Sequence, residues 1–390
     1  MQALLGLGKA TAAGTAAADA VCRLGAAAGI TWLLPACRRP GRRAHGRGGD
    51  LSSAPVPVTA ESVERARDRI AALVDPSPVI RSPRLSAQLG VPVWLKLECL
   101  QPPGSFKVRG AASRMLALPR EQAARGVITS SGGNHGAAVA YVARLLSIPA
   151  TICVPETVDP VKLRAIRDYG AEAVVGGASY DDAEAVSRRL ERDRGLAYVH
   201  AFDDPDVIAG QGTIGLELIE QVPDLAAVVA AVSGGGLIGG LGTVLKGLRP
   251  GVAVIGASAQ NAAAMVASLR AGRPVDVPVQ HTLAEVLGGG IGLDNRWSLA
   301  AVRAHVDEHV LVTEDEIAAA MLFTLRVHRV VAEGGGAVGV AAALAGKLAP
   351  AGGPLAIVVS GGNVDPAAVL ALQGARDEQA ARDEQQDRKE

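Results

Sequence analysis

The feature that most constrains this chain is an alternation running from about residue 55 to 372. A short, continuously apolar run rich in β-branched residues meets a Gly or Pro break, then a longer Ala-rich stretch at helical spacing. "GVITSSGGNHGAAVAYVARLL", "PATICVPETVDPVKLRAIRDYG", "AAVVAAVSGGGLIGGLGTVLKGLRPG" and "PLAIVVSGGN" are clear instances. Runs without polar alternation belong to strands covered on both faces, and the helical stretches between them supply the covers. The pattern predicts an α/β fold of doubly wound parallel sheets, with ligands bound beyond the carboxyl ends of the strands. At 390 residues, 49% of them hydrophobic, the chain can bury a core large enough for two domains.

Both ends depart from the pattern. Residues 1–54 are Ala/Gly-rich and then basic ("CRRPGRRAHGRGG"), which reads as a low-complexity, disordered extension, an upstream start codon or a targeting segment. The charge lies after the apolar run, the reverse of a secretory signal. The tail 373–390 carries a charged repeat with no apolar face and reads as solvated. No run of about 18 apolar residues exists to span a membrane. Thirty-nine basic residues balance thirty-nine acidic ones, leaving no field to gather nucleic acid or an anionic membrane. A small-molecule partner is expected. Cys22, Cys37, Cys99 and Cys153 form neither a CxxC pair nor a zinc spacing, which fits a reducing cytoplasm.

Three glycine-rich turns fall at strand ends: "SSGGNHG" (130–136), "SGGGLIGG" (233–240) and "SGGN" (360–363). Each is a candidate anion cradle, because glycine admits a ligand close to the backbone and the next helix presents free amides. Packing of helix on sheet is the alternative for each. Gly234, Gly236 and Gly239 formally satisfy GxGxxG, but the following strand, "VAVIGASAQ", ends in Ser258 and Gln260, where a dinucleotide site needs a carboxylate. A cradle for a single phosphate remains. Lys107, in "PPGSFKVRGAA", is bracketed by glycines and flanked by Phe106, so it is either a desolvated, nucleophilic amine or a solvated surface charge.

A lysine beside a phosphate cradle points to pyridoxal 5′-phosphate, whose aldehyde condenses with an amine. "GSFKVRGA", "SGGNHGAAVAYVAR", "AGQGTIGLELIEQ", "SGGGLIGG" and "VVSGGN", in that order, resemble the fold-type II pyridoxal-phosphate enzymes (tryptophan synthase β-like), and among them the serine/threonine dehydratase family. "SLRAGRPVDV" and "LGGGIGLDNRW" (287–297) are similar to the hydroxyectoine-utilisation dehydratase subgroup. The resemblance implies two parallel-sheet domains with the cofactor between them: 55–125 with 196–372 as the large cofactor-binding domain, and 126–195 as the small one. A homodimer is implied as well.

By the same resemblance, Lys107 joins the cofactor, Asn134 holds its ring hydroxyl, and Ser233, Gly234, Gly235, Gly236 and Leu237 wrap its phosphate. Ser360 faces the ring nitrogen and Glu333 lies near the cofactor, with helix capping the alternative for both. A hydroxyl at the ring nitrogen makes a weaker electron sink than an aspartate would, which favours β-elimination over transamination. Ser130, Ser131, Gly132, Gly133 and His135 line the substrate carboxylate site, His135 as support. Two departures from the family pattern matter. Gly132 stands where racemising relatives carry a serine, and Ser258 and Ala264 offer no charged oxygen where some relatives bind a divalent cation, so no metal is expected. The implied activity is conversion of L-threonine, L-serine or a related β-hydroxy amino acid to a 2-oxo acid and ammonia. Racemisation and β-replacement are the alternatives.

Overall fold

In a computed structural model, the structure describes residues 58–278, 280–349 and 352–374. The expectations for the extension 1–54 and for the tail from residue 375 lie outside these residues. Among the described residues there are ten strands: β1 (Val79–Arg81), β2 (Val93–Leu97), β3 (Val127–Ser130), β4 (Ala150–Val154), β5 (Glu172–Val175), β6 (Ala197–Tyr198), β7 (Ala227–Ala231), β8 (Ala253–Ala259), β9 (Glu308–Val312) and β10 (Leu355–Val359). They form a six-stranded sheet ordered β1-β2-β10-β7-β8-β9 and a four-stranded sheet ordered β5-β4-β3-β6. The four-stranded sheet ends with Tyr198, just past residue 195.

Every pairing is parallel except β1 with β2. That exception is a three-residue edge strand, the place where mixed sheets commonly carry an antiparallel member. The uninterrupted apolar runs have the predicted cause. In β7, Ala227, Val229 and Ala231 pack into one core while Val228 and Ala230 pack into another on the opposite face. β10 divides in the same way, with Leu355, Ile357 and Val359 on one side and Ala356 and Val358 on the other. The helix Gly334–Leu344 contributes Val338 and Val340 to the first core, and the helices Pro205–Gln221 and Gly236–Leu248 contribute Ile214, Leu218, Ile238 and Leu241 to the second. A third core, with Val127, Ile152, Val139 and Met115, lies against the four-stranded sheet. Each large aliphatic side chain buried in this way stabilises the fold by about 1.5–3 kcal/mol.

Strand order fixes where a ligand can sit. From β7 the chain steps outward to β8 and β9, then returns to insert β10 on the other side of β7. From β3 it steps outward to β4 and β5, then places β6 on the other side of β3. Each reversal opens a crevice at the carboxyl ends of the central strands. The turns after β3, β7 and β10 are the three glycine-rich ones, and the turn after β6 is the fourth that reaches these crevices. Among the described residues no helix is long and apolar enough to cross a membrane.

Candidate active site

Lys107 is the first residue of the helix Lys107–Leu116. A backbone staple to the turn after β10 places it: Gly362 N donates to Gly104 O at 2.9 Å, Phe106 N donates to Ser360 O at 3.1 Å, and Ser105 bridges Gly361. Gly104 has φ 77°, and a Cβ there would fall within the Asn363 side chain, so only glycine serves. Two residues further along the helix, Arg109 is buried and uses all its donors. It grips Glu98 (2.8 Å twice) and Glu217 (2.5 and 3.0 Å) bidentately and reaches Thr213 Oγ1 at 3.1 Å. Lys96 Nζ adds a bond to Glu217 at 2.5 Å, so two cations and two anions balance inside the protein.

The Lys107 Nζ donates to Ala201 O at 2.7 Å and lies 5.2 Å from the Phe106 ring centre. Desolvation pushes its pKa down to about 8, against an upward pull from Glu333. A free amine is therefore accessible near neutral pH.

The turn after β7 leads into the helix Gly236–Leu248, whose N-cap, Gly235, has φ 87° and offers no side chain to cap the first amides. A Cβ on Gly235 would stand 2.6 Å from Met265 Cε. The Phe202 ring lies directly against Gly234, so no larger residue fits there. The Ser233 hydroxyl donates to Leu287 O at 3.1 Å, and the Leu237 side chain is buried, leaving its backbone amide for a ligand. Uncapped amides at a helix start attract an anion.

The turn after β3 leads into the helix Asn134–Leu146, also without a side-chain cap. Ser130 is buried with no partner for its hydroxyl, and Ser131 Oγ accepts from Gly133 N at 3.3 Å. A Cβ on Gly132 would stand 2.8 Å from Val158 Cγ2, whereas beside Gly133 the space is open. His135 faces inward, with Nε2 at 2.9 Å from Val199 O. Burial, together with the Lys107 charge, lowers its pKa to about 3.

Asn134 crosses to the other sheet. Its Nδ2 donates to Glu333 Oε1 at 2.5 Å, and its Oδ1 accepts from Asn363 Nδ2 at 2.7 Å. Glu333 is the N-cap residue of Gly334–Leu344, yet its carboxyl bonds Asn134 instead of the helix amides, so capping is not its role. Burial pushes its pKa up to about 7, opposed by the Asn134 bond. Ser360 is buried, its hydroxyl 3.4 Å from Gly335 O, a loose contact that leaves the oxygen available. Ser258 Oγ is committed to Val232 O at 2.7 Å.

The structure thus gathers Lys107, Asn134, Glu333 and Ser360 with the three turns at the two switch points, while the buried His135 ring lies against the Val199 carbonyl, within reach of the Lys107 charge. Four further residues shape the site without having been singled out. Phe202 covers the turn after β7, Val158 backs Gly132, and Asn363 fixes the Asn134 amide. Asp203 accepts from the amides of Arg296, Trp297 and Ser298 at 2.7–2.9 Å, holding the end of the 287–297 loop. Asn363 stood within the quoted "SGGN"; the others follow strands whose placement only the topology reveals.

A desolvated amine, an uncapped glycine-built helix start and a free buried hydroxyl at Ser105, two residues before Lys107, fit a ligand that carries both an aldehyde and a phosphate. Comparison with known proteins agrees. Residues 70–361 match the family described as pyridoxal-phosphate dependent enzyme. The L-threonine ammonia-lyase of Thermotoga maritima is 43% identical over 308 residues, 79% of this chain and 76% of that protein. The structure of maize serine racemase superposes with a TM-score of 0.76 at 35% identity, covering 83% of this chain and 99% of that one. Threonine deaminase isoform 2 of Solanum lycopersicum, in its processed form, gives a TM-score of 0.73 at 33% identity over 82% and 94% of the two chains.

Proposed function

Because this chain belongs to the family of pyridoxal-phosphate dependent enzymes, we propose that it is a carbon–oxygen lyase converting L-threonine, L-serine or a closely related β-hydroxy amino acid to a 2-oxo acid and ammonia. Bound through Lys107, pyridoxal phosphate supplies an electron sink that acidifies the α-proton of an amino acid. The backbone of Gly234, Gly235, Gly236 and Leu237, with Ser233, would hold its phosphate, the Ser360 hydroxyl would meet its ring nitrogen, and Asn134, oriented by Glu333 and Asn363, would meet its ring hydroxyl. The amides opening the helix Asn134–Leu146 orient the substrate carboxylate. The Lys107 amine, whose pKa burial lowers to about 8, would take the α-proton onto Nζ, and the Ala201 carbonyl would keep that nitrogen in place. Phe202 keeps water from the phosphate side.

The observation that carries elimination over racemisation is Gly132 backed by Val158. A racemase needs a second proton carrier on the opposite face of the α-carbon, and neither residue can move a proton. The likeness of 268–277 and 287–297 to hydroxyectoine-utilisation dehydratases supports a catabolic role in that breakdown. We extend the proposal to a large domain (55–125 with 196–372), a small domain (126–195), a homodimer and a cytoplasmic setting, the last in keeping with the buried free thiols of Cys99 and Cys153.

The test is incubation of the holoenzyme with L-threonine or L-serine alone. 2-Oxo acid and ammonia are expected, with the imine absorbance and the activity both lost in Lys107→Ala. No 2-oxo acid, with an S-substituted amino acid formed once a thiol is added, would mean β-replacement, and accumulation of the D-amino acid would mean racemisation.

A further inference from the structure

Lys162 lies on the helix Pro160–Asp168, between β4 and β5 and so on the four-stranded side of the crevice. Glu285 opens the short turn Glu285–Leu287, which precedes β9 on the six-stranded side. Lys162 Nζ and Glu285 Oε2 are 3.3 Å apart at the surface. Among the described residues no other ion pair joins the segment between β3 and β6 to the six-stranded side.

Each partner belongs to a wall of the site. The segment leading into the Lys162 helix carries Val158, which backs Gly132. The turn opened by Glu285 carries the Leu287 carbonyl that holds Ser233. The buried bond from Asn134 to Glu333 crosses the same crevice, and Glu333 senses both rim charges through space, Lys162 favouring its ionised form and Glu285 its protonated form. Among the described residues the other titratable groups that act on Glu333 are Lys107 and the Cys99 thiol, so the rim pair is a substantial part of its surroundings.

We propose that Lys162 and Glu285 are positioning residues, whose ion pair holds the turn after β3, which takes the substrate carboxylate, at its working distance from the turn after β7, which takes the cofactor phosphate. The proposal rests on the lyase reading for its substrate but not for its geometry. A half-exposed pair is worth little to overall stability, so its loss should show in binding rather than in folding.

The test compares the holoenzyme with Lys162→Met, Glu285→Gln and the charge exchange Lys162→Glu with Glu285→Lys. Each single variant should raise KM for L-threonine about two- to five-fold with little change in kcat, the size expected of an exposed pair. The exchange should restore KM, and in the wild type added salt should mimic the loss. Ionisation of Glu333 strengthens the bond that it accepts from Asn134, so kcat/KM should rise as pH passes its pKa. That rise should move to higher pH in Lys162→Met and to lower pH in Glu285→Gln, whereas a merely structural defect would not produce opposite shifts. An unchanged KM in both singles, or shifts of the same sign, overturns the proposal.

Amide hydrogen exchange in the holoenzyme without substrate separates the two readings. Faster exchange across 130–136 and 160–168 in both singles, reversed in the exchange variant, supports the positioning role even if no 2-oxo acid forms. Unaltered exchange rejects it even if the lyase activity is confirmed.

Discussion

At the scale of single residues, Gly132 and Val158 make the sharpest claim. A serine at 132 must displace Val158 Cγ2, which lies 2.8 Å from the Cβ position, or bend the turn. Overpacking of this kind costs about 1–3 kcal/mol, so Gly132→Ser should lower the melting temperature and Val158→Ala in the same chain should recover much of the loss. A single variant as stable as the wild type would refute the packing account. Lys107 and the glycines were legible because their chemistry lies within a few consecutive residues: an amine beside an aromatic ring, or a turn that excludes side chains. Val158 and Phe202 were not, because an ordinary aliphatic and an ordinary aromatic acquire their roles only from what stands opposite. The capping reading of Glu333 failed for a related reason, since its partner Asn134 comes from the other sheet.

At the scale of elements, the helix that carries Lys107 is locked by Arg109 to the end of β2 through Glu98 and to the helix Pro205–Gln221 through Glu217. Replacing Arg109 by leucine would leave two buried carboxylates facing Lys96 alone. Breaking a buried ion network by removing one partner costs about 3–5 kcal/mol, which urea unfolding of Arg109→Leu would register as a lowered midpoint. A midpoint equal to that of the wild type would show that the network contributes nothing. The parallel strands and their covering helices were legible in outline, because burial on both faces imposes runs such as "AVVAA" and "LAIVV". The antiparallel β1 and the two-residue β6 were not, being too short for a period to show. The carboxylates that Arg109 would meet were hidden for a different reason: one of them is 108 positions away.

At the scale of the whole molecule, buried histidines set a limit on acid tolerance. Desolvation lowers the pKa of His135 to about 3 and that of His200 to about 4, while in the unfolded chain both return to an ordinary value near 6.5. The unfolded chain therefore binds more protons in this interval. Stability contributed by the two rings is complete above about pH 6.5 and is lost as pH falls towards 4 and 3. Melting temperature should decline over that window, and less steeply in His200→Gln. A profile flat from pH 7 to 4 would contradict this. What no local pattern announced was the order β1-β2-β10-β7-β8-β9, in which the last strand among the described residues occupies the middle of the sheet. During synthesis on the ribosome, β2 and β7 must wait with open edges until Leu355–Val359 emerges, and the staple from Gly104 and Phe106 to Ser360 and Gly362 cannot close before then. Unpaired edges invite pairing with other chains, so the interval before the final strand arrives is when a chaperone would matter most.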